Sequence, residues 1–262
     1  MEQTLIIGLA QAPAKRGDIE ANLRTHLMHV EQSSQLGANL VVFPELSLTG
    51  YELDLADELA FAPSNPAINA LSSAATAHNI TVIAGCPLAV PDSKPHITAV
   101  VCFPNGEIEF YSKQYLHDGE GTYCAAGKTN HLLNINNTRI ALAVCADFAE
   151  PKHAQGAADS EAELYLVSAL ISPSGFIPDA HILSGLARDH AFPVLLCNHI
   201  SKTGGWDTCG KNSVWNAQGE LVGTSDNAQQ GVLICTISKN HLSAQFHSLP
   251  ENGYYMPILT KQ

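Results

Sequence analysis

Apolar runs alternate with amphipathic segments from the start of the chain. Residues 5–10 and 40–43 are runs of apolar and small residues, each followed by a proline, and such runs are typical of strands buried on both faces. Between them, apolar residues recur at helical spacing from Ile19 to Leu36, with Asp18 as a capping residue before them. This strand, helix, strand order predicts an α/β fold.

The same alternation continues along the rest of the chain. It predicts strands at 80–86, 97–103, 107–111, 140–144, 164–168, 192–198 and 231–237, and helices at 66–78, 151–158 and 178–191. Asn105-Gly106 indicates a hairpin between two of these strands, and residues 211–223 indicate another. The pattern predicts a single domain, residues 1–262, made of two packed sheets flanked by helices. Residues 238–262 are interpreted as a C-terminal tail whose aromatic residues pack on a neighbouring copy.

Charge and cysteine content narrow the function classes. The 262-residue chain has a net charge of −12, without any cluster of lysine and arginine, which argues against nucleic acid or an anionic membrane as a partner. No segment approaches the length of a membrane span, and the N-terminus has no basic region before its apolar run. The seven cysteines form no CxxC pair and no zinc-type cluster. We therefore expect a cytoplasmic protein with free thiols.

Three residues with reactive side chains follow predicted strands. Cys145 comes directly after the apolar run 140–144, Glu45 follows Pro44 at the end of the second strand, and Lys113 ends the return strand of the first hairpin. Each has an ordinary explanation alone: a buried small residue, a solvated loop carboxylate and a surface charge. Together they can supply a nucleophile, a base and an oxyanion donor, provided that the fold brings them together.

The segment 111–121 is the most titratable stretch of the chain. His117, Asp118 and Glu120 lie close together in it, but no second histidine stands at metal-ligand spacing. We therefore expect no metal site there.

Three blocks of sequence resemble the signature blocks of the carbon–nitrogen hydrolase (nitrilase) superfamily. They are Phe43-Pro44-Glu45-Leu46, then Lys113 with Leu116 and Glu120, then Val144-Cys145-Ala146-Asp147 with Glu150-Pro151. The resemblance continues through residues 188–191, Asn198 and residues 210–213, and spans about residues 5–237. Three blocks in the right order, each at the end of a strand, make the similarity specific.

The resemblance implies a four-layer α-β-β-α sandwich with two mixed sheets, which assembles into a homodimer or a higher homo-oligomer. It implies Cys145 as the nucleophile, Glu45 as the general base and acid, and Lys113 as the oxyanion stabiliser, with the backbone N–H of Ala146 as a second donor. Glu120 matches a second glutamate that orients the substrate or Lys113. The implied chemistry needs neither a cofactor nor a metal.

Residues after the cysteine indicate the branch of the superfamily. True nitrilases typically carry Trp-Glu there, whereas this chain has Ala146-Asp147, as expected of an amidase-like branch that acts on small linear amides. No arginine lies near the signature blocks to bind a substrate carboxylate, which disfavours hydrolysis of N-carbamoyl amino acids. Tyr51, Ala146 and Phe148 are predicted to bind a neutral or weakly polar substrate. His117, His153 and His199 are further candidates to line the pocket.

Several alternatives stay open on the sequence alone. An N-carbamoyl (ureido) amidohydrolase and a nitrilase use the same reactive residues. A non-catalytic binding or scaffold protein could retain the fold, although the intact Glu45, Lys113, Glu120 and Cys145 argue against it. A redox-sensing thiol protein would need a second cysteine close to Cys145, for which Cys124 is the candidate.

Overall fold

The apolar runs form strands in two sheets. The structure is a computed structural model and describes residues 4–225, 228–239 and 241–249. Its strands are β1 (Leu5–Gln11), β2 (Leu40–Val42), β3 (Thr81–Leu88), β4 (His96–Cys102), β5 (Ile108–Ser112), β6 (Leu132–Ile135), β7 (Thr138–Val144), β8 (Leu164–Ala169), β9 (Val194–Asn198), β10 (Ser213–Trp215), β11 (Leu221–Thr224), β12 (Gly231–Ser238) and β13 (His241–Ser248). Its α-helices are α1 (Ile19–Gln35), α2 (Pro66–His78), α3 (Pro151–Asp159) and α4 (Phe176–His190).

Both sheets are mixed. The first has the order β13-β12-β1-β2-β3-β4-β5, with β1, β2 and β3 parallel and the other pairs antiparallel. The second has the order β11-β10-β9-β8-β7-β6, with β7, β8 and β9 parallel. Parallel neighbours need a crossover, and α1, α2, α3 and α4 provide these connections. The α/β class predicted from the sequence is confirmed.

Alternate residues of the central strands face two different cores. In β2, Leu40 and Val42 belong to the core between the two sheets, whereas Val41 packs under the helices. The helices α1 and α2 cover the outer face of the first sheet, and α3 and α4 cover the outer face of the second. Burial on both faces explains why these strands are continuous apolar runs. The layers are therefore helix, sheet, sheet, helix, which confirms the predicted four-layer sandwich.

Two strands depart from the sequence interpretation. The strand β6 was not predicted; it joins β7 through Asn136-Asn137, whose φ values of 51° and 59° are those of a tight hairpin turn. The tail predicted from residue 238 onwards instead continues the first sheet, because β13 pairs antiparallel with β12 and Phe246 packs on the core between the sheets. The aromatic residues Tyr254 and Tyr255 lie outside the described residues. The predicted homodimer stays a prediction.

Polar side chains join the two sheets near the ends of their parallel strands. The hydroxyl of Ser168 in β8 donates to the carbonyl of Phe43, directly after β2, at 2.9 Å. The thiol of Cys197 in β9 donates to the carbonyl of Val42 at 3.2 Å. These bonds fix the end of β2 against the second sheet. In the described part of the chain, no helix is long and apolar enough to cross a membrane.

The loop that follows β2 crosses directly over β3 at Gly85. A Cβ atom added to Gly85 would lie 2.2 Å from the backbone nitrogen of Leu46 and 2.7 Å from the carbonyl oxygen of Pro44. The carbonyl of Gly85 accepts the N–H of Leu48 at 2.9 Å, so the contact is with backbone that is itself held in place. Only glycine leaves room for this loop, and the loop carries Glu45.

We expect Gly85→Ala to lower the free energy of unfolding by about 1–3 kcal/mol, because the added methyl group must displace backbone rather than a mobile side chain. Urea denaturation followed by circular dichroism measures this. Gly185→Ala in α4 is the matched control, since the nearest atom to its added Cβ is the end of the Arg188 side chain at 3.8 Å. The control should be neutral or more stable. Equal stability of the two variants would contradict the tight approach at Gly85.

Candidate active site

Cys145 is placed by a sharp turn at the end of β7. It is the first residue of a short 3-10 helix, Cys145–Ala149, and its φ is +45°, a region that non-glycine residues rarely adopt. The turn brings the side chain into a cavity, where the thiol contacts the carbonyl of Leu170 at 3.8 Å and stays partly exposed. A strained backbone at a partly exposed thiol is typical of a functional position.

The loop that carries Glu45 is held from three directions. The ring of His199 donates from Nε2 to the carbonyl oxygen of Glu45 at 2.6 Å. The ring of His26 donates from Nδ1 to a carbonyl in α1, so its Nε2 accepts the hydroxyl of Ser47 at 2.9 Å. The Ser47 oxygen in turn accepts the N–H of Gly85 at 3.1 Å. The Glu45 carboxyl group is thereby fixed in a position that is only 1 % exposed.

Lys113 lies between two carboxylates. It follows β5 and is fully buried, and its Nζ donates to Glu45 Oε1 at 2.7 Å and to Glu120 Oε1 at 2.7 Å. Both glutamate side chains are also fully buried. The sequence interpretation required Lys113 and Glu45 to meet. The structure brings them into contact although they are 68 residues apart along the chain.

The two glutamates differ in how completely they are hydrogen-bonded. Glu120 Oε1 also accepts the Tyr51 hydroxyl at 2.6 Å, and its Oε2 accepts the N–H of His117 at 2.7 Å. Glu45 Oε2, in contrast, has no hydrogen-bond partner among the described residues. Glu120 is thus a fixed acceptor for Lys113, whereas Glu45 keeps one oxygen available for proton exchange.

Burial and mutual charge set the protonation of the group. Burial raises the pKa of Glu45; Lys113 lowers it, and the charge of Glu120 raises it further. Burial lowers the pKa of Lys113, but the charges of Glu45, Cys145 and Glu120 outweigh this and raise it, so the ammonium stays charged. Burial and then Glu45 raise the pKa of the Cys145 thiol, while Lys113 opposes them. The resting thiol is therefore protonated and needs a base, and Glu45 interacts with it directly.

Asp147 is a structural residue rather than a part of the cavity. It is fully buried, and its Oδ1 accepts the backbone N–H groups of Gln114 and Tyr115 at 3.0 and 2.9 Å. Its Oδ2 accepts the N–H of Val144 at 2.9 Å and the hydroxyl of Tyr111 at 2.6 Å. These four bonds join the turn that carries Cys145 to the segment that carries Lys113.

Of the reactive groups, Glu45 and Cys145 line a cavity of about 310 Å³, and Lys113 lies behind Glu45 without lining it. The three residues predicted to bind substrate, Tyr51, Ala146 and Phe148, all line it together with Glu45 and Cys145. The structure adds residues that the sequence interpretation missed: Leu170, Ile171, Ser172, Gly175, Asp179 and Trp206. They come from the segment between β8 and α4, the first turn of α4, and the loop after β9, and no pattern in the sequence linked these segments to the signature blocks.

The histidine and cysteine candidates differ in whether they line the cavity. His117 lines the cavity, His199 lies behind Glu45, and His153 is hydrogen-bonded between Tyr111 and Tyr165 without lining the cavity. All seven cysteines are free thiols. Cys124 is 2 % exposed and does not line the cavity.

Comparisons with known proteins all point to one family. The sequence model described as carbon-nitrogen hydrolase matches residues 6–245. A probable nitrilase of Schizosaccharomyces pombe is 23 % identical over 240 residues, covering 88 % of each chain. A 2-oxoglutaramate amidase of Bacillus subtilis is 25 % identical over 166 residues, covering 62 % of this chain and 64 % of the relative.

Solved structures share the fold. A mutant of the amidase from Nesterenkonia sp. AN1, which carries the acetamide moiety of fluoroacetamide covalently at its active-site cysteine, superposes with a TM-score of 0.82. It is 22 % identical in sequence, and the match covers 90 % of this chain and 91 % of the amidase.

We expect Glu45→Gln to shift the pH profile for alkylation of Cys145 by iodoacetamide to lower pH. The substitution removes the negative charge that raises the thiol pKa and leaves Lys113 in place to stabilise the thiolate. The midpoint of the profile should fall by roughly one pH unit, which corresponds to a tenfold change in the ionisation constant of the thiol. Peptide mass spectrometry measures alkylation at Cys145 across the pH range, with Glu58→Gln, an exposed glutamate, as the control. A midpoint that is unchanged or higher in Glu45→Gln would contradict the charge balance described above.

Proposed function

Because the chain belongs to the carbon–nitrogen hydrolase family, we propose that it hydrolyses a small linear amide, releasing ammonia and a carboxylic acid through a thioester on Cys145. The observation that carries this proposal is the buried contact of Lys113 with Glu45 and Glu120, together with a cavity that Glu45 and Cys145 both line. A nucleophile, a proton acceptor and a fixed cation are the groups that acyl transfer to a thiol requires.

In the first half of the reaction, the sulfur of Cys145 attacks the amide carbon while Glu45 takes the thiol proton. The negative charge that develops on the amide oxygen is stabilised by Lys113 Nζ. The N–H of Ala146 provides a second donor, because the first N–H groups of a helical turn have no partner within it. When the carbon–nitrogen bond breaks, the proton passes from Glu45 to the leaving nitrogen, which departs as ammonia.

In the second half, water takes the place of ammonia. Glu45, again a carboxylate, accepts a proton from the water as its oxygen attacks the thioester carbon. The tetrahedral intermediate forms at the same two donors, and its collapse expels the sulfur, which recovers the proton from Glu45. The carboxylic acid is released, and the thiol and the carboxylate return to their starting states.

An amide is favoured over a nitrile or a ureido acid for two reasons. The related Nesterenkonia protein and the Bacillus subtilis protein are both named as amidases, and Ala146-Asp147 follows the cysteine in place of Trp-Glu. Among the described residues, no arginine lines the cavity to bind the carboxylate of an N-carbamoyl amino acid. A nitrile remains the runner-up because a probable nitrilase is among the relatives.

We expect ammonia release from at least one short aliphatic amide, and its loss in Cys145→Ala, because no other thiol lines the cavity. A panel of amides, ureido compounds and nitriles, read by an enzymatic ammonia assay, identifies the class. Intact-protein mass spectrometry after rapid acid quenching should show one acyl group, mapped to Cys145. Cys209→Ala is the matched control, since Cys209 is also a partly exposed thiol. An acyl group on another cysteine, or no ammonia from any amide, would overturn the proposal.

The pH dependence of kcat/KM should have an acid limb well above pH 4.5, the ordinary value for a glutamate. Burial raises the pKa of Glu45, and the base must be ionised to accept the thiol proton, so activity falls as the pH drops through this raised value. Steady-state kinetics across the acid range measures it, with circular dichroism at each pH as the control for folding. An acid limb centred at the ordinary value would mean that Glu45 is not the base.

A further inference from the structure

The cavity contains a carboxylate that the proposed reaction does not use. Asp179, in the first turn of α4, lines the cavity and is half-buried. Its Oδ2 lies 3.5 Å from the position that a Cβ on Gly175 would occupy, and Gly175 also lines the cavity. The carboxylate therefore turns back towards the cavity instead of extending into solvent.

Asp179 has no ionic or hydrogen-bonded partner for its side chain among the described residues. Burial raises its pKa, and the charge of His117 lowers it, but no ion pair or hydrogen bond joins the two side chains. The nearby ammonium of Lys211 lies over the ring of Phe176, 4.7 Å from its centroid, and does not line the cavity. The exposed part of this carboxylate accepts hydrogen bonds from water, and it is free to accept them from a ligand that enters the cavity.

Two explanations of Asp179 are possible. An acidic residue in the first turn of a helix interacts favourably with the helix dipole, and this needs no ligand. A second observation points to a ligand: Trp206 lines the same cavity, and 52 % of its surface is exposed. An indole ring and a carboxylate that line one cavity form a combination that binds ammonium groups, through cation–π attraction and a charged hydrogen bond.

The turn that carries Trp206 is held firmly in place. The N–H of Tyr51 donates to the Thr203 hydroxyl at 2.7 Å, and Glu52 Oε1 accepts the N–H of Gly204 at 2.9 Å. The backbone N–H and carbonyl groups of Thr203 and Trp206 also bond to each other. The backbone that carries the exposed indole is thus held in place at the wall of the cavity.

The lining of the cavity carries more acidic than basic groups. Among the described residues, the carboxylates of Glu45 and Asp179 and the imidazole of His117 line it, no lysine or arginine does, and Lys113 is enclosed between its two carboxylates. Glu45 lies in the loop after β2 and Asp179 in the first turn of α4, so the two carboxylates come from different elements of the fold. A substrate can therefore place its amide at Cys145 and a cationic group at Asp179.

We propose that the cavity selects amides whose acyl group ends in a protonated primary amine, bound by the carboxylate of Asp179 and the indole of Trp206. This rests on the proposed amidase function and adds the chemical class of its substrate. It also refines the expectation of a neutral or weakly polar substrate, which was based on Tyr51, Ala146 and Phe148 alone. The cavity of about 310 Å³ has room for a short acyl chain between the two groups.

Three amides of equal length test the proposal: γ-aminobutyramide, valeramide and glutaramate, whose chains end in an ammonium, a methyl and a carboxylate group. We expect kcat/KM for γ-aminobutyramide to exceed that for valeramide by about tenfold or more, because a charged hydrogen bond contributes at least that factor. Asp179→Asn should lower kcat/KM for γ-aminobutyramide about tenfold relative to that for valeramide, so that the ratio of the two falls to about one. Asp189→Asn, in the exposed last turn of the same helix, is the matched control and should keep the preference.

The outcomes separate the two proposals. Equal rates for γ-aminobutyramide and valeramide in the native protein, with ammonia released and an acyl group on Cys145, would overturn the amine specificity and leave the amidase function intact. Equal losses on both substrates in Asp179→Asn would show a structural role and also overturn it. If no amide reacts, calorimetry with Cys145→Ala decides the specificity independently: γ-aminobutyramide must bind more tightly than valeramide, and Asp179→Asn must abolish the difference.

Discussion

The structure of the site depends on one buried ammonium shared by two carboxylates. Lys113, Glu45 and Glu120 are all fully enclosed, and removing the ammonium would leave two buried carboxylates uncompensated, which costs about 3–5 kcal/mol for a broken buried pair. With both glutamates ionised, the cluster has one negative charge in excess. Tyr51 and the N–H of His117 direct their hydrogen bonds to Glu120. The excess charge therefore falls on Glu45, whose pKa burial raises, and this suits Glu45 to its proposed role in proton exchange.

The fold brings Glu45, Lys113 and Cys145 together by placing the ends of three strands close to one another. Glu45 and Cys145 each follow the carboxyl end of a parallel strand, one in each sheet. In parallel sheets, ligands bind in the crevice outside these carboxyl ends. Lys113 follows β5, three strands away from β2 in the same sheet, which is about 14 Å at ordinary strand spacing. The loop after β2 crosses β3 at Gly85 and shortens this separation, and the long lysine side chain covers the rest. Asp147 then holds the lysine segment and the cysteine turn together through four hydrogen bonds.

The sequence predicted the features that depend on local pattern. The central strands and α2 could be located because strands buried on both faces are continuous apolar runs, and because Asn65 and Pro66 define the start of a helix. The short strand β6 and the edge strand β13 escaped because half of their residues are polar or exposed, which weakens the pattern. That Glu45, Lys113 and Cys145 meet followed from the family resemblance and not from spacing. Asp147 was interpreted as an indicator of the branch, but three of its four bonding partners are 32 to 36 residues away in sequence, and no local pattern reveals them.

The residues that determine chemistry and the residues that face the acyl group come from different parts of the fold. The reactive groups are fixed by strand ends and by a network of buried hydrogen bonds, in which a substitution disturbs several partners at once. Asp179 and Trp206 belong instead to a helix terminus and a surface turn, where one side chain can change without moving Glu45, Lys113 or Cys145. An ammonium-bearing substrate would otherwise be attracted to the free oxygen of Glu45, where it would compete with the thiol proton. A second carboxylate, on a different element of the fold, removes that competition and orients a basic substrate with its amide towards the thiol.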